Sequence, residues 1–183
     1  MPQLSKLLID QKNIFLAPGD YFHSEFVDEH YHQLPVPLQQ LQNLQLIEQY
    51  QLDLPDEKTL ILPEMLAENW SLLPSVAWGL GVIQHPSPLP WWGELSQYRQ
   101  LHQKFSHPLW QSPTHSINTP QHLLALGAEQ LLMCLNTFSH GYATRAKYMF
   151  SRSTQQMIPH TVSTLLPWNI IEETCRYVRE HTT

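Results

Sequence analysis

The sequence predicts an all-α protein, and three observations support that prediction. Apolar residues recur at the three- and four-residue spacing of helices, whereas no stretch of useful length alternates with the period of a strand. Fifteen prolines divide the chain into short segments, so the helices should be short. With 183 residues, 42% of them hydrophobic, the chain has the length of one domain and enough apolar side chains for a core. We therefore expect a single compact domain over residues 1–183, with about seven short helices and proline-rich connectors.

Turn signals interrupt the N-terminal part of the chain. Residues 1–13 are predicted to be a flexible lead-in with at most a short amphipathic turn. The apolar run over residues 14–16 ends at a Pro-Gly-Asp turn signal. A short helix is predicted over residues 21–31, with Phe22 and Phe26 on one side.

Residues 38–50 carry the clearest amphipathic pattern of the N-terminal half. Glutamines fill most of one face of this segment. On the other face an apolar or aromatic residue recurs at every third position: Leu38, Leu41, Leu44, Ile47 and Tyr50. Such a stripe predicts a helix that buries one side. The pattern lasts under two heptads, which is too short to predict a coiled coil.

Prolines and glycines define the central helices. Pro63 suits the first turn of a helix that reaches about residue 73. Pro74 either kinks this helix or starts a second one that runs to residue 83. Near its end, Gly79 and Gly81 indicate either close packing against another helix or a helix terminus.

An extended connector over residues 85–90 leads into a predicted helix over residues 91–105, which opens with Trp91 and Trp92. Core packing is the favoured interpretation of the two tryptophans, because Leu95 faces the same way. Contact with a partner protein is the alternative, since tryptophan is enriched at the energetic centres of protein interfaces.

The C-terminal half is predicted to contain four helices. The strongest covers residues 120–138, because Thr119 and Pro120 supply an N-cap and a first helical residue. This segment is apolar nearly all round, which places it in the core. The other three helices are predicted over residues 139–150, 155–166 and 168–180.

Charge is scarce and unevenly distributed. The formal net charge of −6 argues against binding nucleic acid through whole-molecule attraction. Residues 1–94 hold 12 acidic and 3 basic residues, and residues 95–183 hold 4 acidic and 7 basic ones, which would suit two different partners at two ends. In the second half, Arg145, Lys147 and Arg152 alternate with aromatic residues. This basic-aromatic cluster is either a solvated helix face or a contact for an acidic partner.

Residue patterns for catalysis or metal binding do not emerge. Among the 11 histidines, His23, His30 and His32 lie close in sequence, but their spacing matches no zinc motif, and zinc needs three or four converging ligands. The two cysteines, Cys134 and Cys175, stand in unrelated apolar contexts, which predicts free thiols in a reducing compartment. We expect a non-enzymatic protein without cofactor or metal.

One segment resembles a family signature. Residues 67–81 read AENWSLLPSVAWGLG, which is similar to the W-x-x-L-P-x-V-A-x-x-L-G segment of the MxiK/OrgA family of type III secretion systems, also called SctK. The matching residues form a packing motif without chemistry: Trp70, Leu73, Pro74, Val76, Ala77 and Gly81. Residues 14–23 and 123–138 resemble the N-terminal pattern and the glycine-containing C-terminal helix of that family, in the same order.

The resemblance implies an adaptor of the injectisome sorting platform. Such a protein is cytoplasmic and lies at the inner membrane through the secretion apparatus. It links the inner-membrane ring protein SctD to the pod protein SctQ, which connects through SctL to the export ATPase. The alternative is a type III secretion chaperone or regulator that holds apolar segments of a client. Partner contacts do not transfer residue by residue, because the shared segment describes packing.

Overall fold

The computed structural model describes residues 2–86, 88–112, 119–160 and 164–182, and every regular element in these ranges is helical. Within them, ten α-helices alternate with short 3₁₀ segments, which confirms the all-α prediction. The α-helices are α1 (Pro2–Asp10), α2 (Lys12–Leu16), α3 (Val36–Gln49), α4 (Glu64–Glu68), α5 (Leu73–Ile83), α6 (Arg99–Phe105), α7 (Pro120–Phe138), α8 (His140–Lys147), α9 (Arg152–Met157) and α10 (Trp168–His181).

Helices α5 and α7 touch through their backbones at the centre of the fold. A Cβ atom added to Gly81 would lie 1.9 Å from the carbonyl oxygen of Leu123. One added to Gly127 would lie 1.6 Å from the carbonyl oxygen of Ala77. Only glycine leaves room for such an approach. The glycines of α5 therefore serve close helix packing, and they do not end the helix.

The main hydrophobic cluster surrounds this pair and takes side chains from α1, α2, α4, α6, α8 and α10. A second, smaller cluster lies beside it. Phe22, Phe26 and Leu52 form its buried part, and the rings of Tyr50 and Tyr148 pack against them, with 4.5 Å between the centroids of the two tyrosines.

The N-terminus belongs to the fold, so the prediction of a flexible lead-in over residues 1–13 is wrong where the structure describes it. Leu7 of α1 is fully buried, and the Gln11 side chain donates to the carbonyl of Leu62 at 3.1 Å. The Tyr142 hydroxyl donates to the Gln11 side chain at 2.7 Å. Helical spacing places Leu7 and Gln11 on one face, and this face covers the core.

Residues 21–31 form turns, so the helix predicted there is wrong. The His23 ring accepts a hydrogen bond from the backbone N–H of Glu25, and the Asp28 carboxylate accepts one from that of His30. Short polar side chains that bond nearby backbone groups compete with helix formation. The apolar stripe of this segment packs in the smaller cluster from a turn conformation.

Prolines and a glycine also explain the other differences from the predicted boundaries. Pro74 lies in the first turn of α5, so it starts a helix and does not kink one. The segment predicted as one helix over 91–105 begins at Gly93, whose φ is +59°, and runs as a 3₁₀ segment before α6. Pro159 follows α9, and the helix predicted over 155–166 ends early because the residue before a proline avoids helical geometry. Part of that segment, 161–163, lies outside the described residues.

Candidate functional site

Most of the matching residues of the family-like segment lie in the core, and Pro74 is partly buried. Leu73, Val76 and Ala77 are fully buried, and Trp70 is nearly so. The Trp70 ring meets that of Tyr21 edge-on, with 5.6 Å between centroids. Gly81 makes the backbone contact with α7 described above. The matching residues therefore build the protein core, while Glu68 and Ser71 of the same segment are exposed.

Arg145 is fully buried, so its predicted place in a surface cluster is wrong. Its guanidinium donates to the carbonyl oxygens of Asp53 at 2.7 Å, Gly141 at 3.2 Å and Phe15 at 3.3 Å. It also lies 4.9 Å from the centroid of the Phe15 ring. Burial lowers the pKa of Arg145, while the nearby Tyr21 and Asp53 oppose that shift. Arg145 thus ties α8 to the last turn of α2, where backbone carbonyls lack helical partners.

The other two members of the predicted basic-aromatic cluster are exposed, but they lie in different surroundings. Lys147 is exposed at the end of α8. The Arg152 guanidinium lies 5.3 Å from the centroid of the Phe26 ring, and its backbone N–H donates to the Glu25 carboxylate at 2.9 Å. The structure does not bring the three basic residues into one patch.

The two neighbouring tryptophans have different environments. Trp91 packs partly buried against the main cluster, with its ring centroid 5.2 Å from that of His102. Trp92 is 74% exposed. The favoured prediction of core packing therefore holds for Trp91 and is wrong for Trp92, whose side chain is exposed.

An open cleft of about 920 Å³ separates α1 and α2 from α4. Charges of both signs line it: Lys6, Asp10, Lys12, Asp20, Glu64 and Glu68. Glu68 pairs with Arg179 at 2.9 Å. Tyr21 lines the cleft too, and its burial raises the pKa of its hydroxyl. Four of these six residues are acidic and two are basic, so the cleft carries both signs of charge with an acidic excess.

The first three positions of the amphipathic stripe of α3 face outward, which is the largest departure from the predictions, whereas Ile47 and Tyr50 pack against the smaller cluster. Leu38, Leu41 and Leu44 are 47%, 52% and 60% exposed. The buried positions of this helix are Asn43 and Leu46. We call the three exposed leucines the leucine face of α3. Sequence spacing shows that they share a face, but it does not show which face of the helix is covered.

Neither a metal centre nor a membrane span is found in the described parts of the chain. In those parts, no group of three or more histidine, cysteine, aspartate or glutamate side chains is arranged to hold a metal ion. Of the helices described there, none is both long and apolar enough to cross a bilayer. Cys134 and Cys175 are free and buried, and burial raises the pKa of both thiols, to about 11 and about 12. Such thiols are poor nucleophiles.

A comparison with known protein families identifies the class of protein to which this chain belongs. Residues 11–177 match the family described as "Bacterial type III secretion apparatus protein (OrgA_MxiK)". The protein is thus a component of the type III secretion apparatus. The match covers most of the chain, and the chain belongs to the OrgA_MxiK family. Searches of curated proteins and of solved structures found no match.

Proposed function

We propose that this protein is a non-enzymatic adaptor of the cytoplasmic sorting platform of a type III secretion apparatus. In this role it links the inner-membrane ring protein SctD to the pod protein SctQ, and through SctQ to SctL and the export ATPase. It would lie at the cytoplasmic face of the inner membrane and support the secretion of effector proteins. Family membership over residues 11–177 is the observation that carries this proposal.

The distribution of exposed apolar side chains supports an adaptor. The leucine face of α3 lies in the N-terminal part of the chain, and Trp92 stands after α5 on a different element. An adaptor needs two contact surfaces, and exposed apolar groups mark interaction sites when they are grouped. Trp92, Lys147 and Arg152 are exposed and keep their place as candidate partner contacts.

A bridging assay tests the adaptor function. The cytoplasmic domain of SctD is immobilised, and SctQ is added with or without this protein. We expect SctQ to be retained only when the protein is present. Retention of SctQ without it, or no retention with it, would contradict the proposal.

Trp92 can be tested in the same assay with a matched exposed residue. Trp92→Ala should weaken retention of one partner if the tryptophan contacts it, because truncation of an interface tryptophan commonly costs at least about tenfold in affinity. Leu109→Ala is the control, since Leu109 is 78% exposed. Equal retention by both variants would remove Trp92 from the set of contacts.

The alternative function is a secretion chaperone that holds an apolar client segment. It requires a groove that displays mainly apolar side chains, whereas the cleft between α1 and α4 mixes apolar residues such as Ile9 with six formally charged ones, and its tryptophan, Trp70, is buried. The cleft therefore favours the adaptor. Binding of an apolar client peptide in the cleft, together with a negative bridging assay, would favour the chaperone.

A further inference from the structure

Helix α1 is attached to the rest of the protein mainly by one side chain. Among residues 4–10, Leu7 is fully buried and belongs to the main hydrophobic cluster. Leu4 is half-buried, while Leu8 and Ile9 are 38% and 77% exposed. The helix therefore rests on a small apolar contact and leaves other apolar side chains in solvent.

Polar side chains do not reinforce this attachment. Ser5, Lys6 and Asp10 are exposed, and they make no hydrogen bond or ion pair with any other residue in the described ranges. With nine residues, α1 is also too short to be a stable helix by itself in water. Its order therefore depends on the contact made by Leu7.

Gln11, the residue after α1, is held far more firmly. It is 5% exposed, and its side chain donates to the carbonyl of Leu62 at 3.1 Å and accepts from the N–H of Leu62 at 3.4 Å. It also accepts from the Tyr142 hydroxyl at 2.7 Å. With φ −121° and ψ 24°, the backbone of Gln11 departs from helical geometry and separates α1 from α2. Gln11 is thus a fixed point at which the chain changes direction.

Open space lies along one side of α1. Lys6, Ile9 and Asp10 line the cleft of about 920 Å³ whose opposite wall is α4. Helical spacing places these three residues on one face, whereas Leu7 lies on the face that covers the core. Helix α4 therefore does not support α1 from the cleft side, and α1 has room to move.

The family match has its boundary at the same point of the chain. It covers residues 11–177, so Gln11 is its first residue and α1 lies outside the matched range. The hydrogen bonds of Gln11 and the family comparison thus divide the chain at one residue.

Docking of α1 contributes little compared with the stability of the whole fold. Burial of one leucine side chain is worth about 10- to 150-fold in an equilibrium constant, and the conformational entropy of nine ordered residues opposes this gain. Global unfolding of a small domain has an equilibrium constant of about 10³–10⁸ in favour of the folded state. Helix α1 should therefore leave its site much more often than the protein unfolds.

We propose that α1 is a strap that undocks about Gln11 while the rest of the fold stays intact. In the docked state, α1 occupies the site of Leu7 in the main hydrophobic cluster. In the undocked state, this site is open to solvent and the cleft loses one of its walls. The strap therefore controls access to one part of the core. Undocking goes beyond the proposed adaptor function and does not depend on it.

Thiol labelling of the full chain with a small maleimide tests the strap. Leu7→Cys places a thiol under α1, and Leu80→Cys places one at an equally buried position of α5. We expect Leu7→Cys to react at least about 100-fold faster, because its exposure requires only that α1 undocks. Peptide mass spectrometry locates the label, and the native, fully buried Cys175 is a reference thiol in both variants.

Urea distinguishes undocking from global unfolding in the same assay. Between 0 and about 1 M urea, the labelling rate of Leu7→Cys should stay within about twofold, because little surface is exposed when α1 undocks. The rate of Leu80→Cys should rise by at least about tenfold, because its exposure requires the whole core to open. Equal rates with the same urea dependence would overturn the proposal.

Hydrogen–deuterium exchange tests the strap without an added thiol. In the wild type, the hydrogen-bonded amides of α1 should exchange at least about 100-fold faster than those of α5 and share one opening rate. Leu7→Ala should speed exchange in α1 by at least about tenfold, because it removes the docking contact. Ile9→Ala is the control, since Ile9 is 77% exposed, and should change the rate by less than about twofold. Thermal melting checks that both variants fold. Protection of α1 equal to that of α5, or equal effects of the two substitutions, would overturn the proposal.

Discussion

Helices α5 and α3 both carry apolar residues at three- and four-residue spacing, but α5 lies in the core and α3 lies at the surface. In α5, Leu73, Val76 and Leu80 are fully buried, and the helix lies against the backbone of α7. In α3, Leu38, Leu41 and Leu44 are exposed, whereas the hydrogen-bonded Asn43 is buried together with Leu46. The comparison teaches that spacing defines a helical face, while the neighbouring polar groups decide whether that face turns to the core or to a partner.

A substitution that disrupts the packing of α5 against α7 should have the largest effect on stability. Gly127→Ala places a methyl group 1.6 Å from the Ala77 carbonyl oxygen, so the two helices must separate. We expect the free energy of unfolding to fall by more than about 3 kcal/mol, measured by urea denaturation. Gly141→Ala is the control, because its Cβ would lie 3.5 Å from the nearest atom. Equal stability of the two variants would contradict the backbone contact.

A substitution at Arg145 should have the next largest effect. It distinguishes the role of a buried arginine from that of an exposed basic residue on the same helix. Arg145→Met leaves the carbonyls of Asp53 and Phe15 without their donor and should cost about 2–4 kcal/mol of stability. Lys147→Met, two residues along the same helix and exposed, should change stability by less than about 0.5 kcal/mol. Chemical denaturation of both variants checks this. A stable Arg145→Met protein with one partner lost would restore Arg145 as a surface contact.

Sequence proximity predicts one surface cluster of Arg145, Lys147 and Arg152, whereas the structure buries Arg145 and exposes Lys147. A charge reversal at Arg145 would disrupt the fold, so it does not test the hypothesis that the acidic and basic halves of the chain meet different partners. Lys147→Glu alone tests this hypothesis for the basic half of the chain. Weakened binding to one partner only would support that hypothesis, and no change for either would contradict it.

A substitution at Asn43 should have a smaller effect on stability, and it tests what holds α3 in its orientation. Asn43→Ala removes the acceptor of the Gly19 N–H and a donor to Tyr31, and should cost about 1–3 kcal/mol. Gln40→Ala on the exposed side of α3 should change stability by less than about 0.5 kcal/mol, because alanine favours the helix. Thermal melts compare the two. If Asn43→Ala were as stable as Gln40→Ala, the polar group would not fix the rotation of the helix.

How far the sequence predicts this molecule depends on the kind of signal. The helix over 120–138 was predicted with its observed bounds, because Pro120 starts it and the apolar pattern is continuous. The sequence does not predict the outward face of α3, because Asn43 forms hydrogen bonds with Gly19 and Tyr31, which lie 24 and 12 positions away along the chain. The sequence does not predict the burial of Arg145, because a charge in a short helix is usually exposed and its three carbonyl partners come together only in the fold.

The smallest expected effect is a pH dependence of stability that arises from His102 of α6. Burial lowers the pKa of His102 below its ordinary value of 6.5, although a hydrogen bond with the backbone of His85 opposes the shift. The folded state therefore favours the neutral ring and the unfolded state takes up the proton first. Stability should be complete above pH 6.5 and decrease as the pH falls below it.

Urea denaturation at pH 7.5 and pH 5.5 measures this dependence. His102→Asn should lose less stability over this interval than the wild type, because it removes the group that must be protonated. Other histidines contribute equally to both proteins, so the difference isolates His102. An identical loss in the variant would contradict a lowered pKa at this position.

Hydrogen–deuterium exchange in the presence of a partner tests the difference between α3 and α5 most directly. In the free protein, the amides of α5 should exchange more slowly than those of α3, since α5 lies in the core. Addition of whichever of SctQ or the SctD domain binds should slow exchange in α3 and leave α5 unchanged. Slowed exchange elsewhere with α3 unchanged would contradict the account of α3 as an interaction helix.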